Sequence, residues 1–358
     1  MKIINYAINE STQRKIENLL GMEADIIVLS VESCNCKKRI RIPEELEIKW
    51  CGTCAIDKSW PYWRGVGVIC KKGLGYVPDW FNPDKNYAIP YIIIEHWSGY
   101  LPENGAFLRM SPFKQRFVRR IAQEAEQILT VSMPLQRAMQ SCGIVAQRWG
   151  TIDHVVDEFF SQHSTLNTQH STLNTQLSTT KTLLHVSCFD EKAKNVKGLL
   201  CAAKMLSEKR QDWRLVLVGN GLDYNEVRAF ADHLEIPQGL IEWTGELTPR
   251  EVADAMHRAD ALVLSSRYET YGIVLAEAAT AGLPILSTPV GIAEDLHALI
   301  VPQEIAQHKP GTFAEFMETI LWNKQIINHK SEIINQFTAD TIGRKLLSIY
   351  DSCLHRDI

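Results

Sequence analysis

The sequence predicts an α/β protein built on parallel sheets covered by helices. Beyond residue 181, short continuous apolar runs alternate with segments of helical spacing, the pattern of repeated βα units. The apolar runs lack in-out alternation, as strands buried on both faces do. A chain of 358 residues has room for two domains of this kind.

The second half shows the pattern most clearly. Leu183–Phe189 reads as a strand, and Val196, Leu199, Leu200 and Ala203 fall on one face of a helix. Arg214–Gly219 is a continuous strand run, and Val227, Phe230, Ala231 and Leu234 mark the next helix. Thr248-Pro249-Arg250-Glu251 is a capping box with Pro at the first helical position, opening a helix to about Arg258. Ala261–Ser265 is a strand, Tyr271–Ala281 a helix stopped by Gly282 and Pro284, and Ile285–Thr288 a further strand. The first half is less regular. Lys2–Ala7, Asp25–Val31, Tyr91–Ile94 and Ile128–Ser132 read as strands, and Phe113–Gln127 as a helix, followed by another to Met139. Residues 34–86 show no period.

Between the halves, His163–Gln169 reads His-Ser-Thr-Leu-Asn-Thr-Gln, and residues 170–176 repeat it. No charged side chain occurs from Ser161 to Thr180, and too little apolar surface is present to offset ordering, so 161–180 is read as a solvated linker. The expected organisation is a first domain over 1–160, the linker, a second domain over 181–340, and a terminal helix over 341–358 that packs back on the first domain.

Apolar residues make up 45% of the chain and charged residues 22%, with 38 basic against 42 acidic side chains. That composition excludes wholesale disorder, and the balance forces no nucleic-acid partner. No apolar run reaches membrane-spanning length, and the start reads as a strand rather than a leader. Nine cysteines, an odd number, point to a reducing, cytoplasmic setting. Cys34, Cys36, Cys51 and Cys54 cluster; reduced thiols are the favoured reading, with zinc the competing one. Phe113, Phe117, Ile121, Ala125 and Ile128 form a stripe flanked by Lys114, Arg116, Arg119 and Arg120. An ordinary domain helix is the plainer account, and a peripheral contact with an anionic membrane the alternative.

Open parallel sheets bind ligands at the carboxyl ends of their strands. The most informative such end is Ser265-Ser266-Arg267-Tyr268-Glu269-Thr270-Tyr271-Gly272-Ile273-Val274-Leu275-Ala276-Glu277. The amides of Tyr271, Gly272, Ile273 and Val274 have no intrahelical partners and suit an anion. Glu277, in the next turn, is placed to accept from a ribose diol, and Glu269 faces what lies beyond the phosphates.

Glu269-x7-Glu277 within this context, followed by Ala281-Gly282-Leu283-Pro284, resembles the donor signature of glycosyltransferase family 4. Val216–Gly221, Trp243–Glu246, Ala125–Ser132 and Val156–Phe160 extend the resemblance over about 90 to 355. It implies a GT-B fold, two Rossmann-like domains with parallel sheets facing each other across a cleft. It also implies retaining transfer from a nucleoside-diphosphate sugar to a saccharide or lipid-linked acceptor in surface-polysaccharide synthesis, without cofactor or metal. Carried over, Glu277 binds the ribose and Glu269 the donor sugar, while Lys194, alone or with Lys192 or Lys197, neutralises the diphosphate. His96, at a strand end, faces the donor across the cleft, and Gly219 is counted among the donor-binding positions. Two positions depart from the pattern. The companion arginine falls on Phe189, and no glycine loop follows the first strand. These departures leave an alternative, a nucleotide-binding GT-B-like protein impaired in transfer.

Overall fold

The computed structural model describes residues 3–7, 26–30, 91–161, 180–323 and 335–354. The cysteine cluster, the irregular 34–86 stretch and the repeat of the linker lie outside the described residues. Elements are numbered below in chain order among the described residues.

The first unit is a five-stranded parallel sheet in the order β2-β1-β3-β4-β5, formed by β1 (Ile3–Ala7), β2 (Ile26–Ser30), β3 (Tyr91–Glu95), β4 (Gln127–Thr130) and β5 (Trp149–Thr151). Helix α1 (Pro112–Glu124) starts on Ser111, whose hydroxyl accepts from the Lys114 amide, with Pro112 at the first position. Helix α2 (Met133–Ser141) starts the same way on Ser132 and Pro134. Helix α1 buries Val118 and Ala122, with Ala125 just past its end, whereas Phe113 is 65% exposed. The sequence stripe therefore misplaces the inward face at its start. Arg119 is also turned inward, donating to the Cys142 carbonyl and lying over the Phe107 ring.

The second unit is a six-stranded parallel sheet in the order β11-β10-β9-β6-β7-β8. Its strands are β6 (Lys181–Val186), β7 (Trp213–Val218), β8 (Ile241–Gly245), β9 (Ala261–Leu264), β10 (Ile285–Ser287) and β11 (Leu299–Ile300). The helices are the single turn α3 (Glu191–Lys194), then α4 (Val196–Lys209), α5 (Tyr224–His233), α6 (Pro249–Arg258), α7 (Ile273–Ala281), α8 (Gln303–His308) and α9 (Pro310–Trp322). The Thr248–Glu251 capping box closes in both directions. One core face joins Leu183, Leu215, Leu217, Val263 and Leu286 to Leu199, Leu200 and Phe313. This sheet-on-helix burial is the main stabilising term of the unit.

Helix α10 (Ala339–Leu354) returns to the first sheet, where Ile342 and Leu346 share a buried cluster with Ile92, Ile94, Leu129, Ile152 and Val155. Lys345 on the same helix lies 3.6 Å from Asp153. The two units also meet at polar points: Ser132 donates to the Thr270 carbonyl at 2.5 Å, and His257 Nε2 lies 3.0 Å from the Phe160 carbonyl. The first of these sets the carboxyl ends of β4 and β9 against each other.

Candidate donor site at the carboxyl edge of the second sheet

The loops after β6 and β9 are neighbours because β6 and β9 pair directly. Serine hydroxyls bind them together: Ser265 donates to the carbonyls of Lys194 and Asn195 at 3.0 and 3.1 Å. Lys194 and Glu269 meet across this junction, with Nζ 2.5 Å from Oε1. Their side chains are only 15% and 14% exposed, so the pair is shielded from bulk water and from salt. Ser266 donates to the same Oε1 at 2.8 Å, which leaves Oε2 for another donor. Burial pulls the Lys194 ammonium down, but the Glu269 carboxylate outweighs it, and the net effect holds Lys194 protonated above its ordinary range.

Gly272 adopts φ +77°, a left-handed conformation, and caps α7, which begins at Ile273 rather than at Tyr271. A side chain there would be strained, and its Cβ would come within 2.8 Å of Leu275. With glycine as the cap, no side chain competes for the first amides of α7, those of Ile273 and Val274 among them. Glu277, half-buried, follows one turn later on the same helix. Gly219, at φ +124°, lets the loop after β7 pack on the Ser187 carbonyl, which a Cβ would meet at 1.9 Å.

His96 lies at the end of β3 in the first unit, its amide donating to Glu95 Oε1. Its ring stands 4.9 Å from His154, which in turn stands 4.7 Å from Tyr271. Burial, and then the neighbouring His154, hold the His96 imidazole well below its ordinary value, so it is neutral. Among the described residues its buried Nε2 has no hydrogen-bond partner. Tyr271 is buried too, which pushes its hydroxyl up, and the Asp153 carboxyl acts on it electrostatically without a bond of normal length. Burial raises the Asp153 carboxyl against the opposing Lys345.

The structure thus brings Lys194, Glu269 and the start of α7 together, and links His96 to them through His154 and Tyr271. Lys197 is directed elsewhere: its ammonium pairs with Glu226 on α5 and lies over Phe230. Phe189, at the position of the missing arginine, is fully buried beside Tyr224 and Trp243. Sequence reasoning missed Ser265, Ser266, Asn195 and His154. The serines carried a signal, two small polar residues closing an apolar strand; His154 carried none. A cavity of about 420 Å³ is lined by Glu103, Glu191, Lys192, Arg267, Tyr268 and Gln307, and neither Lys194 nor Glu269 is part of its wall.

Residues 173–334 match the sequence model of the glycosyl transferases group 1. The lipopolysaccharide 1,6-galactosyltransferase of Escherichia coli (strain K12) is 30% identical over 141 residues, 38% of this chain and 36% of that protein. The N-acetyl-alpha-D-glucosaminyl L-malate synthase of Bacillus anthracis is 33% identical over 190 residues, 49% of this chain and 46% of that protein. The chain therefore spans less than half the length of these curated relatives. A sucrose-phosphate synthase from Thermosynechococcus elongatus superposes with a TM-score of 0.68 at 15% identity, over 99% of both chains. Anabaena HepE, solved with UDP and glucose, superposes with a TM-score of 0.59 at 20% identity, over 74% of this chain and 72% of that one. At such identities these likenesses establish the fold, two parallel-sheet units of the GT-B kind. Residues 173–334 thus resemble the glycosyl transferases group 1, and the match is confined to that part of the chain.

Proposed function

We propose that the protein transfers a sugar from a nucleoside-diphosphate sugar to a saccharide or lipid-linked saccharide, with retention at the anomeric carbon. The observation that carries this reading is the Lys194–Glu269 pair beside the glycine-capped start of α7. Cleaving the donor's glycosidic bond builds negative charge on the departing diphosphate. Lys194 and the first amides of α7 oppose that charge where it develops, without reorganising at the moment of reaction. Lys194 has three N–H donors and can hold Glu269 and a phosphate oxygen together. The reading therefore requires no divalent metal.

Glu269 would hold donor-sugar hydroxyls through Oε2, and Glu277 the ribose diol. Unpaired among the described residues, the buried Nε2 of His96 carries a desolvation cost of about 1–3 kcal/mol, and a donor hydroxyl would satisfy it. Among the described residues the Glu269 carboxylate is already engaged by Lys194 and Ser266, so we take attack and departure to share one face of the sugar. The acceptor would enter by the cavity at Tyr268. The relatives named lipopolysaccharide galactosyltransferase and N-acetylglucosaminyl malate synthase support a sugar donor. We place the protein in the cytoplasm, in surface-saccharide synthesis. Contact with an anionic membrane would fall at exposed Phe113 and Arg116, and co-sedimentation with acidic vesicles tests it.

A thermal-shift panel of UDP, GDP, ADP and their sugars is the direct test, since ligand linkage reports binding without knowledge of the acceptor. Stabilisation by one nucleoside diphosphate and its sugars is expected, and no shift with any of them overturns the reading. Phe189 in place of a cation favours the second reading, binding without transfer. Binding of a sugar donor that acceptor extracts never discharge would select it.

A further inference from the structure

The loop that carries Lys194 begins and ends on residues in left-handed conformations without being glycine. Phe189 has φ +35° and Asn195 φ +51°. Asn visits this region readily, but for Phe189 it persists only where the surroundings over-determine it. Asp190 caps the intervening turn through the amides of Lys192 and Ala193, and Asp223 accepts from the Glu191 amide. The decisive restraint comes from across the sheet. Arg267, two residues before Glu269, sends its guanidinium into this loop. Its Nη1 donates to the Glu191 carbonyl and lies 3.5 Å from that of Lys192, and its Nη2 donates to Asn195 Oδ1 at 2.7 Å. The Glu191 carboxylate lies 3.6 Å away, and the Arg267 amide donates to the Ala193 carbonyl at 2.7 Å. Asn195 is further tied to the Ala306 carbonyl at 3.0 Å. Gln303 in turn holds the carbonyls of Ser266 and Arg267.

Resting on the donor reading above, we propose that Arg267 is a positioning residue: its planar fork locks the 190–195 loop so that Lys194 presents its charge to the diphosphate. The guanidinium's partners are loop acceptors, so its charge is spent on holding the loop. With Phe189 where the family resemblance expects a second cation, donor binding depends more heavily on where the Lys194 ammonium stands. A shift of 1 Å in a charged contact changes affinity steeply, and a side chain as flexible as lysine supplies no rigidity of its own.

The test is titration calorimetry with UDP, GDP and ADP in turn, on the unaltered chain and on Arg267→Met, Lys194→Met and the double variant, each first checked for a cooperative urea transition. The expected result is a loss of about tenfold to a hundredfold in Arg267→Met, the scale of one or two charge-assisted hydrogen bonds. The double variant should then bind within about twofold of Lys194→Met, because a residue acting through Lys194 has nothing left to act on. Losses that multiply in the double variant mean that Arg267 holds phosphate itself, and they overturn the proposal. Undiminished binding by Arg267→Met overturns it as well while leaving the donor reading standing. Failure of the unaltered chain to bind any of the three removes both. Should Arg267→Met not fold, Arg267→Lys decides: lysine keeps the charge without the fork, so a several-fold loss is expected and full affinity overturns the proposal.

Discussion

Lys194 and Glu269 are 75 residues apart in sequence and 2.5 Å apart in space, each on a loop leaving the same edge of one sheet. Glu269 and the proposed diphosphate are both anions that draw on the Lys194 ammonium. The two residues therefore serve different parts of the proposed donor, and single substitutions should separate them. Lys194→Met is expected to weaken nucleoside-diphosphate binding by about tenfold or more, the loss of a charge-assisted contact. Glu269→Gln should leave that binding unchanged or tighter, since the ammonium is released, while the sugar-bearing donor loses about tenfold. Calorimetry with both ligands on both variants checks this. Equal losses of bare diphosphate in the two variants would refute the division of roles.

Glu277 sits one turn into α7, beyond the amides proposed to hold the phosphates. A carboxylate accepting two hydroxyls is acceptor-only, and a neutral methyl group replaces none of it. Glu277→Ala should lose about tenfold to a hundredfold in affinity for the preferred nucleoside diphosphate. It should also cease to distinguish that ligand from its 2′-deoxy analogue. A variant that discriminates as well as the unaltered protein would place the ribose elsewhere.

The second sheet was legible in the sequence because each of its elements is specified locally. Leu215–Val218 and Ala261–Leu264 are continuous apolar runs, and Thr248 with Glu251 marks a helix start by its own bonds. The start of α7 was placed two residues early because Gly272 in a sequence does not disclose that its φ is positive. What could not be read is what loops do to one another. Arg267 is an ordinary surface-type residue until its guanidinium is seen between Glu191 and Asn195. His154 shows no pattern at all, yet it joins His96 to Tyr271 across the two units. Such contacts follow from strand order, which periodicity does not encode.

Phe189 shows why restoring a family residue would fail here. The side chain is fully buried, 5.2 Å from the Tyr224 ring and 5.9 Å from Trp243, in a setting with no carboxylate among these neighbours. Phe189→Arg would place a charge in that aromatic cluster and remove its packing. A cost of about 3–5 kcal/mol is expected, as for other unpaired buried charges. A lower urea midpoint reads this directly. A midpoint equal to that of the unaltered chain, with tighter diphosphate binding, would mean that the loop can turn the side chain outward.

His185 lies at the centre of the same sheet, fully buried, with Nδ1 3.0 Å from the Val263 carbonyl and Nε2 2.9 Å from the Ser187 hydroxyl. Nδ1 therefore carries the proton, and Nε2 accepts from Ser187. Burial lowers the imidazole from 6.5 to about 4, against the opposing pull of the Val263 carbonyl, and Lys194 lowers it further. Between those values the unfolded chain binds the proton and the folded chain does not, so stability rises with pH across this window. Acidifying from pH 7.5 to 5 should therefore cost about 2 kcal/mol through His185. His96, also held neutral, adds to the loss, whereas the raised carboxyl of Asp153 opposes it at the acid end. His185→Asn keeps a donor for Val263 and cannot titrate. It should be less stable at pH 7.5 yet lose less between pH 7.5 and 5, as read from urea midpoints at the two values. An undiminished pH dependence in that variant would assign the acid sensitivity to other groups.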